Sequence, residues 1–199
     1  IISNKFLIST LMKFNSTFYA MFYSDDGADG QVVHVKTNEN MDQGASSIPD
    51  AFATTGEFFS ADNQFNATDA THIDAVYNNA TSALVAYQGT DADGFAAVVQ
   101  ITDNTVTTGN LLEFDVADAS HIAIHRLNST NAFIAYQGVA GDGFVVNYEY
   151  ANEASTAQSL EIDGTDFAYP AWAGYNHSIG ILAFQGAAGD GFVAAVQYD

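Results

Sequence analysis

The chain has 199 residues, is 48% hydrophobic, and sets 24 acidic residues against four basic ones for a net charge of −20. That apolar content builds a core and excludes a disordered tail, while the charge repels nucleic acid and anionic membranes, so neither is an expected partner. Cysteine is absent, which removes disulfides, a thiolate nucleophile and a cysteine zinc site. No apolar run approaches the roughly 18 residues that span a bilayer as a helix, so membrane insertion is not expected. The chain opens on Ile1 rather than Met and without a basic signal-type segment, so a processed chain or a piece of a longer one is expected. An acidic surface suits a saline or divalent-rich medium that screens its self-repulsion.

In chain order, the first recognisable element is Tyr19–Gly30, a divergent copy of a segment that returns three times: Ala83–Phe95, Ala132–Phe144 and Ile181–Phe192. Gln88, Gln137 and Gln185 mark the register, 49 and 48 positions apart, whereas Asp29 precedes Asp93 by 64. The excess is a loop insertion at 37–57, polar and rich in turn formers, after which Thr54-Thr55-Gly56 rejoins the pattern later carried by Thr107-Thr108-Gly109. The whole chain is therefore expected to be one domain of four tandem repeats, 1–57, 58–107, 108–156 and 157–199.

Within a copy the apolar period is two and the runs are short, which favours strands over helices. The third copy predicts strands at His121–Leu127, Ala132–Gln137, Phe144–Tyr150 and Leu160–Ile162, joined by turns at Asn128-Ser129-Thr130 and Gly138–Gly143. Asp-Gly in the second turn is expected to supply positive φ. Phe133, Ile134, Ala135 and Tyr136 put apolar side chains on both faces of one strand, so both faces need covering, as between stacked blades. The expected fold is an all-β, β-propeller-like array of four blades of about four antiparallel strands. It is either a closed four-bladed ring or an arc of a larger one.

The motifs Ala-Tyr-Gln-Gly…Asp-Gly-Phe and Thr-Val-Thr-Thr-Gly…Phe-Asp…His-Ile-Ala resemble propeller-type repeats of about 49 residues in tail-associated and surface proteins of marine phages and bacteria. The resemblance spans nearly the whole chain. It implies an extracellular, cell-surface or virion protein with a binding or structural role, and brings no catalytic residues with it.

Propeller geometry brings the loop between strands two and three to the same end as the entry to strand one. Converging there are Asp69 with His72, Asp118 with His121, and Asp166 with Tyr169, beside Gln88, Gln137 and Gln185. Carboxylates, imidazoles and amides in a ring suit hydrogen bonding to a glycan, and the ordinary reading of the same residues is turn formation and loop capping. Asp25, Asp29, Asp91 and Asp93 are the locally acidic candidates for Ca²⁺, too few in sequence for an EF-hand. No other cofactor is expected. Asn15, Asn79, Asn128 and Asn176 each open an Asn-x-Ser/Thr sequon in the first turn of a repeat, with Asn66 as a fifth, and would be glycosylation acceptors in a secreted eukaryotic or archaeal protein. Asn, Ser and Thr are also simply good turn residues. Tyr87, Tyr136, Trp172 and Tyr175 are candidate stacking surfaces.

No Gly-x-Ser-x-Gly elbow or His-Glu-x-x-His pair is present. Catalysis needs one asymmetric constellation, whereas this chain repeats its loops; only the insertion, with Glu39, Asp42, Asp50 and Glu57, breaks the symmetry. The expected function is non-enzymatic recognition or adhesion, with a surface glycan as the expected ligand class. The alternatives are structural self-assembly with like subunits as a filament, coat or tail protein, and a glycoside hydrolase or lyase.

Overall fold

The computed structural model describes residues 7–13, 18–24, 30–36, 63–66, 69–102, 105–155 and 159–198. The insertion, Asn15, Asp25 and Asp29 lie outside them. Among the described residues every regular element is a strand or a one-turn 3-10 segment. No helix there is long and apolar enough to cross a membrane.

The strands form four antiparallel sheets in chain order. Sheet I contains β1 (Leu7–Lys13), β2 (Phe18–Ser24), β3 (Gly30–Lys36) and β4 (Asn63–Asn66). Sheet II contains β5 (Thr71–Asn79), β6 (Ser82–Gln88), β7 (Gly94–Thr102), β8 (Thr105–Thr108) and β9 (Leu112–Asp115). Sheet III repeats this plan with β10 (Ser120–Arg126), β11 (Asn131–Gln137), β12 (Gly143–Glu149), β13 (Ala154–Ser155) and β14 (Leu160–Asp163). Sheet IV has β15 (Ala168–Gly174), β16 (Ile179–Gln185) and β17 (Gly191–Gln197).

The strands of the third copy fall where alternation places them, with one addition. The outer position is shared by two short strands: β13 pairs with the end of β12 and β14 with its start, as β8 and β9 do along β7. Sheet boundaries are also offset from repeat boundaries, since β4, β9 and β14 close the sheet before the one whose repeat they open.

The first strands of successive sheets lie side by side, β1 against β5, β5 against β10 and β10 against β15. Three apolar layers fill the spaces between sheets. Phe65 packs edge-on to Tyr87 between sheets I and II. Leu84, Ala86 and Val98 meet Ile134, Tyr136 and Tyr148 between II and III, and Phe133, Ala135 and Val145 meet Phe167, Leu182 and Phe184 between III and IV. Both faces of β6 and β11 are consequently buried.

The turn between strands two and three corrects one expectation. Positive φ falls on Asp91 and Ala92, on Ala140 and Gly141, and on Ala188 and Gly189. The Asp-Gly pairs do not carry it: Asp93, Asp142 and Asp190 are extended, with φ of −66°, −69° and −71°. Glycine after the aspartate answers a different demand, close approach. A Cβ on Gly94 would lie 2.4 Å from the Phe114 ring, and one on Gly143 would lie 2.4 Å from Phe167. Phe114 of β9 and Ala119, which leads into sheet III, close onto Gly94, and Phe167, which leads into sheet IV, closes onto Gly143.

Candidate functional site

A bulge recurs at the entrance of the first strand of each sheet. Thr71 pairs with Gln88 and Asp74 with Ala86, so two residues of β5 oppose Tyr87 alone. The same slip lies between Ser120 and Ala123 in β10 and between Ala168 and Ala171 in β15; β1 slips between Ile8 and Thr10. In the last three sheets the first bulged residue is His72, His121 or Tyr169, with φ of 49°, 49° and 51°. Left-handed backbone costs a bulky non-glycine residue about 1–3 kcal/mol, and such strain persists where the surroundings over-determine it.

The strain lines three rings up across three sheets. His72 and His121 lie 5.5 Å apart between ring centroids, and Tyr169 meets His121 edge-on at 5.0 Å. The His121 backbone N–H donates to His72 Nδ1 at 3.3 Å, which sets the order of the row. Tyr169 ends it with 71% of its surface exposed. Partial burial and the neighbouring His121 imidazole hold His72 below the ordinary histidine pKa, with Asp118 pulling the other way. The row offers π faces, a phenol and imidazole nitrogens along one strip.

The polar residues expected beside the rings divide into those used by the fold and those left at the surface. Gln88 accepts from the Thr71 hydroxyl at 2.9 Å and donates to Asp118 at 3.2 Å. Gln137 accepts from the Ser120 hydroxyl at 3.0 Å, and Gln185 donates to the Gly189 carbonyl at 3.3 Å. All three clamp the end of strand two to neighbouring backbone or side chains. Asp118 also takes part in its own turn, its N–H donating to Asp115 at 3.0 Å. Asp69 is half-buried, while Asp166 is exposed at a φ of 58°. Adjacent backbone groups zip the sheets together: the Ala119 N–H donates to the Ala92 carbonyl at 2.9 Å and the Phe167 N–H to Gly141 at 2.8 Å.

Three aromatic candidates for ligand stacking are structural instead. Tyr87 and Tyr136 are buried. Trp172 is stacked against His125 and Phe133 and donates its indole N–H to the Ala123 carbonyl at 3.1 Å. Only Tyr175 of that set is exposed. Sequence reasoning passed over Asp74 and Glu153, which also join sheets. Asp74 accepts from the Ile124 N–H at 2.8 Å, and Glu153 from the Asn110 N–H at 2.9 Å. Neither residue is part of a repeated motif, so no pattern in the chain marks it.

Of the sequon asparagines within the described residues, Asn79, Asn128 and Asn176 are turn formers, whereas Asn66 ends strand β4. Asn79 Oδ1 accepts from the N–H and hydroxyl of Thr81, Asn128 Oδ1 from those of Thr130, and Asn176 Oδ1 from those of Ser178. These are Asx turns. Asn128 goes further, its side-chain amide donating to the His177 carbonyl of the next repeat at 2.9 Å. That amide nitrogen is the atom a glycan would need. Asp91 lies within the 3-10 turn of sheet II and Asp93 follows it, and among the described residues no three His, Asp or Glu side chains come together as metal ligands.

Compared with known proteins, the chain matches no family model and no curated protein.

Proposed function

We propose that the chain is a non-enzymatic recognition module of β-propeller type, working outside the cell, at a cell surface or on a virion, and that the strip His72–His121–Tyr169 binds carbohydrate. The observation that carries this reading is the bulge. Three successive sheets accept a left-handed bulky residue at the same position, and the rings so aimed form one strip with an exposed tyrosine at its end. Strain stored at equivalent places, with no core to serve there, is the mark of a functional constraint. Aromatic faces stack on the apolar face of a sugar, and the adjoining Asp166 carboxylate and imidazole nitrogens suit its hydroxyls.

An acidic chain would favour neutral glycans over sulfated or sialylated ones, because a charge of −20 repels anions. No catalytic group is assigned, and the reading calls for neither calcium nor another cofactor. The test is a glycan array followed by titration of the best hit against the Tyr169→Ala and His121→Ala variants. Loss of about tenfold or more in affinity in each, about 1.4 kcal/mol, is expected for removal of a stacked ring. Binding undisturbed by both substitutions, or no glycan bound at all, would sink the reading.

A further inference from the structure

The turn that leads into the next sheet is built twice on one plan, at 115–119 into sheet III and at 163–167 into sheet IV. The two copies differ in one bond. In the first, Asp115 Oδ1 accepts from the N–H groups of both Ala117 and Asp118, at 2.9 and 3.0 Å. In the second, Asp163 Oδ1 accepts from Thr165 at 2.8 Å, and Asp166 turns left-handed, with φ of 58°. The next residue docks alike in both, Ala119 on the Ala92 carbonyl and Phe167 on that of Gly141. Asp118 and Asp166 are therefore equivalent positions with opposite outcomes. Asp118 receives the Gln88 amide at 3.2 Å, whereas Asp166 is exposed and, among the described residues, is not hydrogen-bonded to Gln137, the counterpart of Gln88.

The amide nitrogens of the three glutamines differ in the same way. Gln88 donates to Asp118 and Gln185 to the Gly189 carbonyl. Gln137 is held by its oxygen, which accepts from Ser120, and its nitrogen donates to no group among the described residues. The left-handed turn residue beside these amides is Ala92 in one copy and Gly141 in the next, with φ of 70° and 89°. A Cβ on Gly141 would stand 3.7 Å from Gln137 Nε2 and 3.3 Å from the Asp166 backbone nitrogen. A methyl-sized space thus lies between the Gln137 amide and Asp166, where Ala92 carries its methyl in the other copy.

We infer that Gln137 and Asp166 are the specificity-determining end of the strip, and that together they hold a free hydroxyl of the sugar stacked on Tyr169. This inference rests on the carbohydrate reading and names what that site selects. An amide N–H only donates and an ionised carboxylate only accepts, whereas a hydroxyl does both at once. The pair that closes on itself as Gln88 and Asp118 is here satisfied by one hydroxyl placed between its members. A methyl ether at that position accepts without donating and a deoxy carbon does neither, so the site rejects both. An acidic sugar is repelled by the Asp166 carboxylate. The ligand class is a neutral glycan with an unsubstituted hydroxyl beside its stacking face.

Calorimetric titration of the full chain with the best glycan from the array, and with its monodeoxy and O-methyl analogues, tests this. The unaltered chain should bind the parent glycan about tenfold more tightly than the analogue altered at the hydroxyl being read. Asp166→Gly removes the carboxylate at a backbone conformation glycine adopts freely, so the chain should fold as before. In that variant the parent glycan should lose about tenfold in affinity and the altered analogue nothing, whereas a merely structural role for Asp166 would weaken both alike. Gly141→Ala restores the methyl that Ala92 carries and should weaken the parent glycan about threefold or more. Unchanged affinity and discrimination in Asp166→Gly, with binding lost in Tyr169→Ala, would overturn this inference and leave the carbohydrate reading standing. A chain that binds no glycan overturns both.

Discussion

Sheets III and IV are two copies of one design in different surroundings. Their second strands read alike, Phe133-Ile134-Ala135-Tyr136 against Ile181-Leu182-Ala183-Phe184, with matching registers to the third strand. Every residue of β11 from Asn131 to Tyr136 is buried, whereas β16 alternates because Leu182 and Phe184 point to sheet III and Ala183 to solvent. An apolar pattern on both faces of a strand thus records a demand for cover without supplying it. A neighbouring sheet meets the demand, and among the described residues the one packed on sheet IV is sheet III.

The sharpest way to break this comparison is to truncate equivalent residues. Phe133 is 2% exposed and stacked on Trp172, so Phe133→Ala should cost about 3–5 kcal/mol, the range for emptying a buried aromatic site. Ile181 occupies the same position half-exposed, and Ile181→Ala in dilute solution should cost about 1 kcal/mol. Urea denaturation of both variants checks the pair. Equal losses would mean that sheet IV is covered in solution even when dilute.

A smaller difference comes from adding a methyl group. Gly143→Ala drives a Cβ into the buried Phe167, whose own Cβ lies 2.8 Å from the new atom, and the expected cost is about 1–3 kcal/mol. Gly191→Ala meets nothing and should fall within about 0.5 kcal/mol of the parent chain. Thermal melts of the two variants side by side would expose a hidden neighbour at Gly191 as a matching loss.

The mildest distinction is in pH. Burial lowers the pKa of His125 in sheet III, and burial together with His121 lowers that of His72 in sheet II. Between the lowered folded value and the ordinary value near 6.5, the unfolded chain binds more protons than the folded one, so stability rises with pH across that window. Their contribution is complete above pH 6.5 and is lost as pH falls through 6.5 toward the folded pKa values. The residue matching His125 in sheet IV is Ala173, which does not titrate. His125→Ala should accordingly flatten the slope of stability between pH 5 and 7, measured by denaturant midpoints, and an unchanged slope would remove His125 from the account.

Several features of the fold were legible in the chain because they are local. Period-two alternation named the strands of the third copy, and Asn-x-Ser/Thr marked the Asx turns. The step from Gln88 to Gln137 to Gln185 revealed the repeat, since a unit that cannot bury its own faces must recur to be stable. The site was legible in part. His72, His121 and Tyr169 were placed at the strand entrance by repetition, whereas the glutamines beside them are used by the fold and the tyrosines of strand two are core.

What the sequence determined by itself was the demand: strands apolar on both faces, recurring about every 49 residues and joined by Asn-x-Ser/Thr turns. What only the tertiary structure decided was where the demand is met. The Asp74 and Glu153 bridges, the Trp172 stack and the ring-to-ring spacing of the strip all depend on which sheet lies against which. That relation is a property of residues some 49 positions apart, and packing across such a distance leaves no local signature in the chain.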